Sequence, residues 1–268
     1  MDQMRETAKK MRRTIIQMSH DSRASHLGSA LSCVDILVAL YWGVANIDKT
    51  NVTLPSRDRI ILSKGHAVAA LYAALAFRGI IDNSLLNTFC RPGSILEEHP
   101  GPESPKGVEA ATGSLGHGLS LGAGMALAGK IQGHNYNVYV LGSDGECNEG
   151  SVWEAAMMSA GQNLGRLCVI IDYNRWQATG RSREITAIEP FVAKWKSFGW
   201  NCTEVDGHDI EALTAALSHT KKPEGKPVAL IAHTVKGKGV SFMEDDNNWH
   251  YRIPDASELE QALKELEM

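Results

Sequence analysis

The stretch LGSDGECNEGSVWEAAMMSAGQNLGRLCVIIDYNRWQATG, residues 141–180, decides how the chain reads. It sets an acid-glycine step, Asp144-Gly145, at the end of one apolar strand and Asn174 just past the next, 30 positions on. That spacing accommodates a crossover helix, so the two strands run parallel and both side chains emerge at one carboxyl edge, where open α/β sheets bind ligands. Gly142 and Gly145 flank the acid where strand turns into helix, and without side chains they let a phosphate approach the backbone N–H groups of the helix start. Asp144 offers a carboxylate, Asn174 an amide oxygen and Trp176 a backbone carbonyl. These hard oxygen donors suit a divalent cation that in turn neutralises a diphosphate. An isolated Asp-Gly is equally well an Asx turn. The spaced Asn174, together with Glu149 and the glycines, favours a metal-diphosphate shelf.

Outward from that segment the pattern alternates. Strands are expected at 58–63, 138–141, 167–172, 201–205 and 228–233, and helices at 64–79, 151–160, 190–198 and 210–217. The alternation predicts an α/β fold, a mostly parallel sheet sandwiched by helices, with residues 1–268 forming a single domain. Met4, Ala8, Met11, Ile15 and Met18 recur at helical spacing and predict an amphipathic amino-terminal helix. Residues 29–45 read as one helix apolar nearly all round, hence buried in a core or a subunit interface. The Gly- and Ala-rich GHGLSLGAGMALAGK (116–130) suits close packing against a sheet or a twin helix.

Composition excludes other classes. A 268-residue chain that is 43% hydrophobic has ample core material, and a net charge of −4 without a basic stripe gives no nucleic-acid footprint. No apolar run approaches the roughly 20 residues of a membrane helix. The charged start MDQMRETAKKMRRT lacks an apolar signal core, so the chain reads as cytosolic. Its five scattered cysteines include no CxxC, which argues against a disulfide framework or zinc site and fits a reducing, cytoplasmic compartment.

The motifs taken together resemble the transketolase group of thiamine diphosphate enzymes, specifically the amino-terminal, diphosphate-binding part. SDGECNEG followed by DYNRWQATG matches the acid-glycine and asparagine signature of that group. ASHLGSALSCVDIL, RDRIILSKGHAVAALYA, EEHPGPESPKGVEAATGSLGHGLSLGAGMALA, VDGHDIEAL and TVKGKGVSF with a downstream WH follow in the family's order, over about residues 10–252. The resemblance implies thiamine diphosphate as cofactor with Mg²⁺, or Ca²⁺ or Mn²⁺ in its place, held by Asp144, Asn174 and the carbonyl of Trp176. It implies further that His66 and Gly145 contact the diphosphate and that Gly113, Ser114 and Leu115 lie against the aminopyrimidine. Glu149 would be a buried glutamate linking two active sites across a dimer.

His26, His99 and His250 match substrate-side histidines. Ketol transfer needs a group that takes and returns a hydroxyl proton near neutral pH, which is the range of histidine. The resemblance thus assigns His26 and His250 to proton transfer, His250 also to the diphosphate, and His99 to hydroxyl recognition. In this family the cofactor lies between two homologous domains, and the glutamate that activates the aminopyrimidine comes from the second. The implied protein is therefore the amino-terminal subunit of a split transketolase-like enzyme. Such a polypeptide would be active only with a separate pyrimidine-domain chain in an α2β2 assembly, on a sugar or sugar-phosphate substrate. Leu27 beside His26, Ser143 ahead of Asp144 and Ser114 depart from the usual residues and leave the donor open. A 2-oxo acid donor, as in the 2-oxo acid dehydrogenases or deoxyxylulose-phosphate synthase, and a silent scaffold are the alternative readings.

Overall fold

Strand β2 (Val138–Ser143) is buried at every position and β3 (Leu167–Tyr173) at all but the last. Runs so continuously apolar need cover on both faces, and the chain supplies it with helices. The computed structural model describes residues 1–220 and 225–267. With β1 (Arg59–Leu62), β4 (Asn201–Asp206) and β5 (Val228–His233) the two strands form a five-stranded sheet in the order β1-β2-β3-β5-β4. Every neighbouring pair is parallel, with Ser143 in register with Asp172 and Asp172 with Ala232.

Alternation along the strands divides the core. Tyr139 and Leu141 of β2 point into one layer with Cys168, Ile170 and Leu230, while Val138 and Val140 point into the other with Val169 and Ile171. The first layer is covered by α1 (Asp2–Ser22), α2 (Leu27–Ser32), α3 (Val34–Val38), α4 (Val68–Phe77), α9 (Ile210–His219) and α10 (Ala256–Glu265). The second is covered by α5 (Gly118–Gln132), α6 (Gly150–Gly161) and α8 (Phe191–Ser197). The amphipathic reading of α1 holds, with Ala8, Met11, Ile15 and Met18 buried.

The single helix expected over 29–45 is broken. Cys33 (φ −100°, ψ 7°) separates α2 from α3, and a π-helical turn, Ala39–Val44, follows. The cause is a competing use of the same groups. The Ser29 carbonyl accepts from Lys64 Nζ (2.8 Å) and the Ser32 hydroxyl donates to Asp172 Oδ2 (2.5 Å), so the local groups serve a buried polar cluster rather than a continuous helix. Helix α10 adds an element beyond those expected, although its start carries a full capping box between Asp255 and Glu258.

Candidate active site

Every strand of the sheet ends toward one edge, and there the polar residues gather. Asp144 follows β2, Asp172 is the penultimate residue of β3 with Asn174 just past its end, Lys64 lies just past β1, and Thr234 follows β5. The two buried aspartates sit in opposite circumstances. Asp172 Oδ2 accepts from Lys64 Nζ, Ser32 Oγ (2.5 Å) and Asn174 Nδ2 (3.2 Å), and its Oδ1 accepts from Thr234 Oγ1. Burial by itself would raise the Asp172 carboxyl, but the Lys64 ammonium and these hydrogen bonds hold it below its ordinary value. Asp144 Oδ2 accepts only from the Ser182 hydroxyl (2.6 Å), at the start of the short helix α7 (Ser182–Ile185), and its Oδ1 has no partner. Burial, with the nearby Asp172 charge, pushes Asp144 up to about 7.

Beside this pair lies a cavity of about 370 Å³, lined among others by His26, His66, His99, His250, Gly145 and Asn174. The four histidines, drawn from four separated segments, converge. Ring centroids of His66, His99 and His250 lie 5.3, 5.6 and 4.9 Å from that of His26. His26 holds a left-handed backbone (φ 67°) at the start of α2, fixed by its N–H donating to the His250 carbonyl (2.8 Å). A non-glycine residue kept in that region marks a position that the surroundings over-determine, and such positions cluster at functional sites. Its Nδ1 is buried without a partner. Burial first, then neighbouring cations, lowers His26, His66 and His250, the last to about 3. All three rings are therefore neutral at neutral pH.

The loop before α5 is shaped by close approach. Gly113 has φ 142°, and a Cβ there would meet His99 Cδ2 at 3.0 Å, so only glycine lets the loop lie over that ring. Gly113 and Leu115 line the cavity, whereas Ser114 is exposed.

Glu149 is not buried by any part of this chain: it is exposed. The buried glutamate is Glu146, in the 3-10 turn Gly145–Asn148, where its side chain folds back to accept from Ser63 Oγ and the Gly116 N–H (2.9 Å). Glu149 instead precedes α6 as its N-cap residue and faces outward. Lys236 is a site residue that the motifs do not single out. It is buried, donates to Asn247 Oδ1 (2.7 Å), lies 3.1 Å from His250 Nδ1, and is lowered by burial and by Lys64 to about 8. Its signal in the sequence is the KGKG run, two lysines among glycines after an apolar strand.

The donor set fits the implied metal and cofactor. A buried carboxylate oxygen without a partner, Asp144 Oδ1, stands on the strand adjoining the one that Asn174 follows. Asp172 takes the Asn174 amide NH₂, which orients its Oδ1 away from that carboxylate, and the Trp176 N–H donates to this Oδ1 (3.0 Å). Asn174 and Trp176 both line the cavity. Among the described residues no group of three or more His, Cys, Asp or Glu is placed to hold a metal alone.

A parallel sheet that gathers a free carboxylate oxygen, an amide and four histidines at its carboxyl edge has the architecture of an α/β cofactor-binding domain. Comparison with known proteins narrows this. The family model "Transketolase, thiamine diphosphate binding domain" matches residues 3–268. The chain belongs to the transketolase family, in its thiamine diphosphate binding domain. It is 41% identical over 261 residues to one of the subunits of the apulose-4-phosphate transketolase of Phocaeicola vulgatus, covering 97% of this chain and 92% of that one. It is 40% identical over 242 residues to the SqwG subunit of the 6-deoxy-6-sulfo-D-fructose transketolase of a Clostridium species, covering 90% and 88%. Among solved structures, transketolase from Leishmania mexicana superposes with a TM-score of 0.91 at 26% identity. A Pichia stipitis transketolase mutant superposes at 0.88 and 28%. The chain covers 98% of its own length but spans only 41% of either of those two chains. Among the described residues no helix is long and apolar enough to cross a membrane.

Proposed function

We propose that this chain is the diphosphate-and-metal half of a split transketolase-like enzyme, completed by a separate pyrimidine-domain chain in an α2β2 assembly. The observation that carries the reading is the convergence of His26, His66, His99 and His250 on a cavity bordered by Asn174 and Gly145. The coverage figures support the division of labour. The chain nearly fills relatives named as subunits and less than half of the solved transketolase chains. Residues 1–268 then form one domain, and Glu149 with the exposed Leu121, Ile131, Met157 and Met158 of α5 and α6 is covered by neighbouring chains.

Asp144, Asn174 and the Trp176 carbonyl would hold Mg²⁺, or Ca²⁺ or Mn²⁺, with the diphosphate. Gly145, His66 and Lys236 would take diphosphate oxygens, and Gly113 and Leu115, with Ser114 on the same loop, would hold the aminopyrimidine. Thiamine diphosphate, when bound, supplies a nucleophilic carbon and an electron sink for cleaving and forming the carbon-carbon bond. The protein positions the sugar chain and moves protons. His26, neutral because it is buried, takes the proton from a substrate hydroxyl at a ring nitrogen and returns it to the acceptor's oxygen, while His250, whose Nδ1 accepts from Lys236 and whose ring hydrogen is therefore on Nε2, donates from Nε2 to a substrate oxygen. Lys236 beside His250 Nδ1 opposes positive charge on that ring, which keeps it a neutral hydrogen-bond donor at Nε2. His99 at the cavity wall hydrogen-bonds a further hydroxyl.

Four histidines suit a polyhydroxylated donor better than a short 2-oxo acid, so the reaction is transfer of a two-carbon ketol unit from a ketose, or ketose phosphate, to an aldehyde. The test is an assay of the chain alone and with the pyrimidine-domain partner, using ketose phosphate and pyruvate as donors with thiamine diphosphate and Mg²⁺. Transfer from the ketose only in the reconstituted complex is the expected result. Transfer by the chain alone, or from pyruvate instead, overturns the reading.

A further inference from the structure

His208 lies in the turn between β4 and α9, and its side chain is only 14% exposed. Its Nε2 accepts from the Val235 backbone N–H (2.8 Å), which requires that nitrogen to be bare. The ring hydrogen is therefore on Nδ1, which donates to Asp35 Oδ2 (2.8 Å). Asp35 is held by Arg12 through NH1 (3.1 Å) and NH2 (2.5 Å), a two-pronged contact between side chains less than a tenth exposed. Arg12 reaches the same turn from its other end, since its Nε donates to the Lys238 carbonyl (3.0 Å). Gly239 is required there: it has φ 101°, and a Cβ would meet Arg12 Cδ at 2.8 Å.

The two anchored positions, 235 and 238, bracket Lys236, whose ammonium meets His250 Nδ1 and Asn247 Oδ1. We propose that His208 is a positioning residue for the active site: with Asp35 and Arg12 it clamps the 235–238 turn so that Lys236 stays against His250. Asp35 fixes the tautomer that leaves Nε2 free, as second-layer carboxylates do for histidines that must accept at one nitrogen. His208 touches neither the cavity nor the histidine cluster and acts only through the backbone of Val235. The kinetic part of this inference rests on the proposed function; the placement of Lys236 does not.

Two substitutions separate the ring's nitrogens. In His208→Gln the side-chain amide reaches the Nε2 position and still accepts from Val235. In His208→Asn it reaches only the Nδ1 position, keeping Asp35 and losing Val235. The chain labelled with ¹⁵N-histidine reports Lys236 directly, because His250 Nδ1 carries the signal of a hydrogen-bonded acceptor at fixed neutral pH, assigned through His250→Asn. The expected result is a wild-type His250 signal in the Gln variant and a displaced one in the Asn variant, with both thermal midpoints within a few degrees of each other. In the reconstituted complex the Asn variant loses about tenfold in kcat/KM, the order expected when an outer partner of a working side chain is removed, and Gln restores it. Equal loss in both variants, or a His250 signal unmoved in His208→Asn, overturns the clamp. If His208→Asn does not fold, Arg12→Lys takes its place, with the same two outcomes at His250. An absence of thiamine diphosphate binding by the wild-type complex would refute the proposed function, while the His250 spectra would still decide the clamp.

Discussion

Asp144 and Asp172 end neighbouring strands, are equally buried and share one carboxyl edge, yet their carboxyls are driven in opposite directions. Asp172 has a cation, two hydroxyls and an amide within reach; Asp144 has one hydroxyl and an oxygen facing nothing. The two carboxyls differ in how far the chain itself satisfies them. A carboxylate that the chain satisfies by itself is structural, because the chain has offset its desolvation. One left unsatisfied keeps an oxygen available to a ligand, which is the role proposed for Asp144.

The comparison breaks first where the structural member is removed. Asp172→Ala leaves Lys64 buried and unpaired and is expected to cost about 3–5 kcal/mol in urea unfolding, whereas the double change Asp172→Leu with Lys64→Met recovers most of it. Asp144→Asn is expected to leave the apo chain as stable as wild type or slightly more so, since it removes an unfavourable charge. The same change should weaken Mg²⁺-dependent binding of thiamine diphosphate about a hundredfold, roughly 2.7 kcal/mol, in calorimetry of the reconstituted complex.

A third contrast is with the histidines. His26, His66 and His250 have folded values below the ordinary 6.5, so the unfolded chain binds protons near 6.5 that the folded chain refuses. Their stabilising contribution is full above pH 6.5 and is lost as pH falls toward the folded values, about 3 for His250. Replacing His250 with Gln is expected to flatten the decline in urea stability between about pH 6.5 and 4. The smallest effect is at the surface. Glu149→Gln should change the stability of the isolated chain by less than about 0.5 kcal/mol, and a larger change would show that the chain itself uses this carboxylate.

Part of this is legible in the sequence, for physical reasons. The parallel sheet follows from apolar runs at alternating spacing, and the Asp144–Asn174 pair from its place at two strand ends, because strand and turn chemistry are local. His26, His66, His99 and His250 can be nominated from their motifs, but their convergence depends on segments more than 200 residues apart. Asp172 reads only as the last residue of a strand, although an acid closing a continuous apolar run must find a partner; the partner, Lys64, is 108 positions away. That same long-range pairing breaks the helix expected over 29–45. Glu146 folds back onto Ser63 and Gly116, a contact between distant segments that the sequence does not show, whereas a place for Glu149 against a second chain is a matter of assembly.

If Asp144 is the cation's carboxylate, as proposed, cation affinity must depend on its ionisation. A cation binds the ionised form, so with Asp144 near 7 the proton competes with it below that value. Calorimetric titration of Mg²⁺ with thiamine diphosphate into the reconstituted complex should show affinity falling below about pH 7 and level above it, with a shallower fall in Asp144→Asn, where only the cofactor's own phosphate still titrates. An affinity independent of pH from 5.5 to 8, or an Asp144→Asn complex that binds Mg²⁺ as wild type does, would contradict the account.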